Sequence, residues 1–179
     1  MADQNSIMII EQVSHDPEWD NEYRREAQKL CEILGDEIVA VHHIGSTSIP
    51  DITAKPVIDI LGEARRIEDI DIHNEAMARQ GYQARGEFGL PGRRFFVKGV
   101  PKRTHHVHIF QAGSPEIYRH LAFRDYMIAH PDDARKYSEL KQKLAIQYKG
   151  DIDGYCDGKD AFVKEMERKA IAWAKIRQK

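Results

Sequence analysis

The chain has 179 residues, 41% hydrophobic and 31% charged, with a formal net charge of -2; a chain this long buries roughly 70% of the surface its unfolded form exposes, so neither a disulfide nor a structural metal is needed for folding. No apolar run approaches the ~20 residues of a membrane span, the opening M-A-D-Q-N-S lacks a secretory signal pattern, and the acidic balance argues against nucleic-acid binding, which draws on many cationic contacts to phosphate. One domain covering residues 1–179, working in a reducing cytoplasm, is the expectation, and the two cysteines, outside any C-x-x-C pair, are assigned no chemistry.

Ile7 to Val13 is a short β-branched run with the character of an edge strand. Asp16-Pro17-Glu18 then starts a helix: an N-cap acid, a proline whose missing N–H does no harm at the first helical position, and an acid that favours the helix dipole. Trp19, Tyr23, Ala27, Leu30, Cys31 and Leu34 recur on one face, and Gly35 stands where a left-handed cap belongs. Ile38 to Ile44 forms a strand that breaks into Gly45-Ser46-Thr47-Ser48, and a second strand carries Asp59 between Val57-Ile58 and Ile60-Leu61. An ionised carboxylate in an apolar strand is costly unless donors or a cation meet it.

Ile67 to Gln80 is expected as one helix closed by Gly81, with Ile70 and Met77 inward. Tyr82–Arg85 and Arg93–Lys98 are strand segments, the second turning through Gly99-Val100-Pro101-Lys102 into Thr104–Phe110 as a hairpin. The two-residue period places His106, His108 and Phe110 on one face and His105, Val107 and Ile109 on the other. Ser114-Pro115-Glu116 starts a helix ending before Pro131, and Asp132-Asp133 starts another with Tyr137, Leu140, Leu144 and Tyr148. D-I-D-G-Y-C-D-G-K-D from Asp151 is expected as a loop; it is not an EF-hand, since loop positions six and twelve hold Cys156 and Phe162 instead of Gly and Glu. A last amphipathic helix carries Phe162, Val163, Met166, Ala170 and Trp173.

The chain has no G-x-x-x-x-G-K-[ST] loop, no G-x-G-x-x-G and no G-x-S-x-G elbow. Strand, Gly-Ser turn, then an acid on the next strand is the opening of polymerase-beta-type nucleotidyltransferases, in which the turn holds phosphates and paired acids hold divalent metal. The spacing from Ser46 to Asp59 fits, but Val57 and Leu61 occupy the positions of a partner acid, and His106 and His108 stand where a later acid is expected. The pattern argues against a two-metal carboxylate site.

H-H-I-G-S-T-S-I-P from His42 to Pro50, A-K-P-V-I-D-I from Ala54 to Ile60, R-T-H-H-V-H from Arg103 to His108 and L-A-F-R-D-Y from Leu121 to Tyr126 together resemble the GrpB-like family, over nearly the whole chain. The resemblance implies a nucleotidyltransferase-like α/β fold, a mixed sheet with flanking helices and a helical C-terminal part. Relatives occur fused to dephospho-CoA kinase; this chain has no phosphate loop, so kinase activity is not carried over. Asp51 stands where relatives often have Gly.

The expected ligand is a small phosphate-bearing molecule, held by Gly45, Ser46, Thr47, Ser48, Lys55, Arg93, Arg94, Lys98 and Arg103. Asp59, His106 and His108 are the expected catalytic groups. With His43 they are also the expected ligands of a divalent metal, Mg²⁺ or a transition metal given the imidazoles, with no organic cofactor. Buried, hydrogen-bonded imidazoles and a plain tight turn are the competing readings; His42 and His105, on the other strand faces, are read as structural. Two functions are compatible with this pattern: a nucleotidyl- or phosphoryl-transferase acting on a small acceptor, or a noncatalytic ligand- or partner-binding module that has lost its acids.

Overall fold

A computed structural model describes residues 10–178. Ile7–Ile9 of the expected first strand lie outside them, and the rest of that stretch makes one isolated bridge, between Val13 and Ala54. Helix α1 spans Glu18–Leu34; the Asp16 carboxylate accepts from the Glu18 N–H at 2.9 Å, as its sequence start required. Strands β1 (Ile38–Ile44) and β2 (Ile58–Ala64) come next, then a 3₁₀ stretch Ile67–His73 leading into the short helix α2, Asn74–Arg79. The expected single helix over this region is therefore half 3₁₀. Its isoleucines at 67 and 70 repeat every three residues, which stacks both inward on a three-residue turn and leaves Ile72 exposed.

Strands β3 (Tyr82–Ala84), β4 (Arg94–Lys98) and β5 (His105–Gln111) complete a five-stranded mixed sheet in the order β1-β2-β5-β4-β3. Only the β2–β5 pair is parallel; β4 and β5 form the expected hairpin. Helices α3 (Pro115–Ala129), α4 (Pro131–Gln147) and α5 (Ile152–Arg177) form the C-terminal part, with the Ser114 hydroxyl accepting from the Glu116 N–H at the start of α3. None of the described helices is long and apolar enough to cross a membrane.

One sheet face, carrying Ile58, Ile60, Phe96, Val107 and Ile109, packs on α1 and α2 as the main core. The other carries Ile44, Leu61 and Phe110 against Ile117 of α3, while α3, α4 and α5 share a core around Tyr126, Met127, Tyr137 and Met166. Edge strand β1 is blunted by side chains: the Tyr23 hydroxyl donates to the Val41 carbonyl and the Arg124 guanidinium to that of His43.

The segment from Asp151, expected as a loop, is instead the first two turns of α5. Asp151 caps it through the Gly154 N–H at 3.0 Å. Gly154 and Gly158 act as close-packing residues: a Cβ at Gly158 would meet Leu144 Cδ2 at 2.6 Å, and one at Gly154 the Tyr148 ring. Packing against α4 overrides the weak helix propensity of two glycines.

Candidate functional site

Between β1 and β2 the chain must reverse beside its own acid, and Gly45 makes this possible. Its φ of 71° and ψ of -176° are open essentially to glycine alone, and a Cβ there would lie 2.6 Å from Asp59 Oδ2. Ser46–Ser48 form one 3₁₀ turn after it, closed by the Ser48 hydroxyl donating to the Gly45 carbonyl.

Parallel pairing sets Asp59 opposite His106 and Leu61 opposite His108, so the acid and both imidazoles share a face. His106 Nδ1 lies 3.3 Å and His108 Nε2 3.4 Å from Asp59 Oδ1. Burial works against the charged carboxylate, but the hydrogen bonds and charges of His106 and His108 outweigh it and hold Asp59 well below the usual carboxylate range. Arg93, stacked on Phe95, points Nη1 at His108 Nδ1 from 3.4 Å. His106 Nε2 is buried without a partner. One donor atom from each of Asp59, His106 and His108 falls within 4.8 Å of the others, and this is the only such three-residue group among the described residues.

Asp59 and His106 open on a cleft of about 350 Å³ between the sheet and the C-terminal helices. Gly45, Ser46 and Thr47 form one wall, and Lys55, Arg103, Lys141 and Lys159 line it against a single acid, Asp59. Burial, then the neighbouring Arg103 charge, lowers the Lys55 pKa. Lys141 is 2% exposed, with Nζ 2.9 Å from Ser46 Oγ, a second hydrogen bond to the Thr53 carbonyl, and the Tyr137 ring beneath it at 4.7 Å. Burial, then the Lys159 charge, brings this amine down to about 7. A smaller cavity of about 260 Å³ lies against the other side of Asp59 and Gly45, with His108, Arg119, His120 and Glu167 in its wall; burial takes His120 down to about 4.

Asp59, His106, His108, Gly45, Ser46, Thr47, Lys55 and Arg103 are thus brought together, and five expected residues are not. Because Ile44 pairs with Asp59, the even residues of β1 share the acid's face, which puts His42 there, bonded to Glu63 at 2.6 Å. His43 faces α1 instead, stacked on Tyr23 at 4.8 Å and bonded to Thr47 Oγ1 at 2.9 Å. Burial lowers it to about 4, so it is neutral, and it is no part of the metal-ligand group. Arg94 and Lys98, on the face of β4 opposite Phe95, are spent on a two-pronged pair with Asp71 and on Glu26. Arg93 reaches only the back of His108, and Ser48 closes the turn rather than lining the cleft. Sequence reasoning missed Lys141 and Lys159. Lys141 carried a signal: it falls four residues after Tyr137 and three before Leu144, on the apolar stripe of α4.

The profile of the GrpB family, described as GrpB protein, matches residues 9–169. UPF0157 protein YqkA of Bacillus subtilis is 46% identical over 168 residues, covering 94% of this chain and 49% of that protein. UPF0157 protein PA4798 of Pseudomonas aeruginosa is 38% identical, over 91% of this chain and 68% of its own length. The chain therefore spans about half of YqkA. A dephospho-CoA kinase of Mycolicibacterium paratuberculosis, 29% identical, is matched over 46% of its length, consistent with a fused arrangement. The crystal structure of conserved protein GrpB from Enterococcus faecalis superposes with a TM-score of 0.89 at 44% identity, covering 92% of this chain and 99% of that one.

Proposed function

The chain belongs to the GrpB family, and from that footing we propose that it binds a small phosphate-bearing ligand with one divalent metal ion and transfers a phosphoryl or nucleotidyl group to a small acceptor. The observation that carries this reading is the convergence of Asp59, His106 and His108 beside the Gly45–Ser48 turn, with Asp59 and His106 on a cleft lined by four basic side chains and one acid. The Gly45-Ser46 turn after β1 and the acid on β2 support this reading. The kinase activity named in distant relatives is not carried over, because this chain has no phosphate loop.

The donor set tests the metal. One carboxylate oxygen and two imidazole nitrogens suit a first-row transition ion such as Mn²⁺, Fe²⁺ or Zn²⁺, whereas Mg²⁺ prefers oxygen throughout. The two imidazole nitrogens lie 3.3 and 3.4 Å from Asp59 Oδ1, and one donor atom from each of the three residues falls within 4.8 Å of the others, so all three converge on one space. When bound, such an ion supplies charge compensation for the phosphate oxygens and orients the attacking oxygen. The chain does the rest: Lys55 and Arg103 neutralise the ligand's outer charge, and the Ser46 turn fixes its position.

The test is titration of the protein with Mn²⁺, Zn²⁺ and Mg²⁺, followed by ATP. Expected are transition-metal binding well ahead of Mg²⁺, a roughly 100-fold loss in Asp59→Asn, and metal-dependent ATP binding. No ATP binding with any of these metals present would overturn the reading. A second reading, a noncatalytic binding module, is favoured by two observations. Val57 and Leu61, where partner acids would stand, are 5% and 0% exposed in apolar surroundings, and Arg93 donating to His108 Nδ1 leaves Nε2–H to donate to Asp59. A nucleotidylated product found in a screen of small acceptors would eliminate it.

A further inference from the structure

Lys141 is an amine buried on the apolar stripe of α4 with no carboxylate bonded to it among the described residues. An ammonium in such a place is costly, and a lysine kept only for charge is normally matched by an acid. Its surroundings hold it in one position. Thr53, whose carbonyl accepts from Nζ, is itself pinned to α4: its N–H donates to Ser138 Oγ at 2.9 Å and its hydroxyl meets the same oxygen at 2.9 Å. The Tyr137 ring forms the floor. The remaining polar contact of the amine is Ser46 Oγ, at 2.9 Å and on the cleft wall. A serine hydroxyl touching a buried, acid-free lysine that a third group orients is the arrangement by which lysine serves as base to a nucleophilic serine.

We propose that Ser46 and Lys141 are a nucleophile–base pair that opens an activated phosphoric ester or anhydride through a covalent phosphoseryl intermediate. Ser46 Oγ bonds to phosphorus as the bond from phosphorus to the leaving oxygen breaks. The hydroxyl proton passes to Lys141 Nζ and from there to the leaving oxygen. In the second half the acceptor oxygen, water or a small alcohol, bonds to phosphorus as the Oγ–P bond breaks; its proton goes to Lys141, which returns it to Ser46. Lys55 and Arg103, across the same cleft, are placed to hold the non-reacting phosphate oxygens. Burial together with Lys159 brings the amine down to about 7, so a large share of it is the uncharged base at neutral pH. The pair requires no metal and goes beyond the transfer reading without depending on the Asp59 cluster.

The test treats the full chain, stripped with a chelator, with a fluorescent alkyl fluorophosphonate, reads the adduct by intact mass, and maps it by peptide sequencing. Expected is a single adduct on Ser46, absent in Ser46→Ala and formed about 100-fold more slowly in Lys141→Met, the usual scale of a lost general base. In the unsubstituted protein the labelling rate should climb with pH through about 7 and then level off; this readout needs no variant and stands even if Lys141→Met folds poorly. A lysine that merely ties α4 to the turn predicts the opposite: no adduct on Ser46, or labelling that is insensitive both to pH in that range and to Lys141→Met. Either result overturns the proposal, while leaving metal and ATP titrations to judge the transfer reading separately.

Discussion

Gly45→Ala probes the contact on which the whole site is built. The substitution forces an L side chain into a backbone region that costs about 1–3 kcal/mol outside glycine. It also places a methyl carbon 2.6 Å from Asp59 Oδ2 and 3.0 Å from Asp59 Cβ. Neither atom lies at the end of a long flexible chain, so β2 or the carboxylate must move and the bonds to His106 and His108 loosen. We expect a total loss of about 2–4 kcal/mol, which at a slope near 2 kcal/mol per molar lowers the urea midpoint by roughly 1–2 M. A double-mutant cycle separates the two parts. Asp59→Gly removes the obstructing atoms but leaves the backbone strain, so combining it with Gly45→Ala should recover about 1 kcal/mol relative to additivity. Midpoints of Gly45→Ala within about 0.3 M of the parent, or strict additivity in the cycle, would refute the argument that the turn and the acid are fitted to one another.

Three further outcomes rest on the same groups. Asp59 is held below its unfolded pKa, so the stability it contributes is present above about pH 4 and drains as pH falls below that value; urea midpoints of Asp59→Asn should be lower at neutral pH and fall less steeply into acid. Lys141 is a cost to the fold rather than a gain, although stability again rises with pH. Its folded pKa of about 7 lies below the ordinary 10.5, so burying it penalises the fold fully below about 7, and the penalty fades as pH climbs toward 10.5. Lys141→Met should therefore be more stable by about 1–3 kcal/mol near pH 6, with the advantage gone in strong alkali, as read by denaturant melts across that range. Asp51 sits at a φ of 62°, a left-handed conformation that suits glycine; Asp51→Gly should gain up to about 1 kcal/mol, and a loss in thermal melts would show that the aspartate's own contacts matter more.

Local chemistry made much of this protein legible. Asp16-Pro17-Glu18 and Ser114-Pro115-Glu116 marked helix starts because caps act on N–H groups two or three residues away. The two-residue strand period put His106 and His108 on one face, and an acid in an apolar strand announced that it needed partners. The contribution of packing is equally specific. Whether His42 or His43 shares the face of Asp59 depends on the pairing of Ile44 with Asp59, and nothing inside β1 reveals that register. Asp151–Asp160 reads as a loop because its glycines are poor helix formers; beyond the capping Asp151 it is helical, with Gly154 packed on Tyr148 and Gly158 on Leu144 of α4, where a side chain has no room. The hairpin cations were divided between two faces, so Arg94 and Lys98 found acids elsewhere and only Arg103 reached the cleft. Periodicity, caps and turn residues operate within a turn or two of chain and can be read in order. The meeting of the Lys141 amine with the Ser46 hydroxyl spans 95 residues, and only the closing of the C-terminal helices over the sheet brings it about.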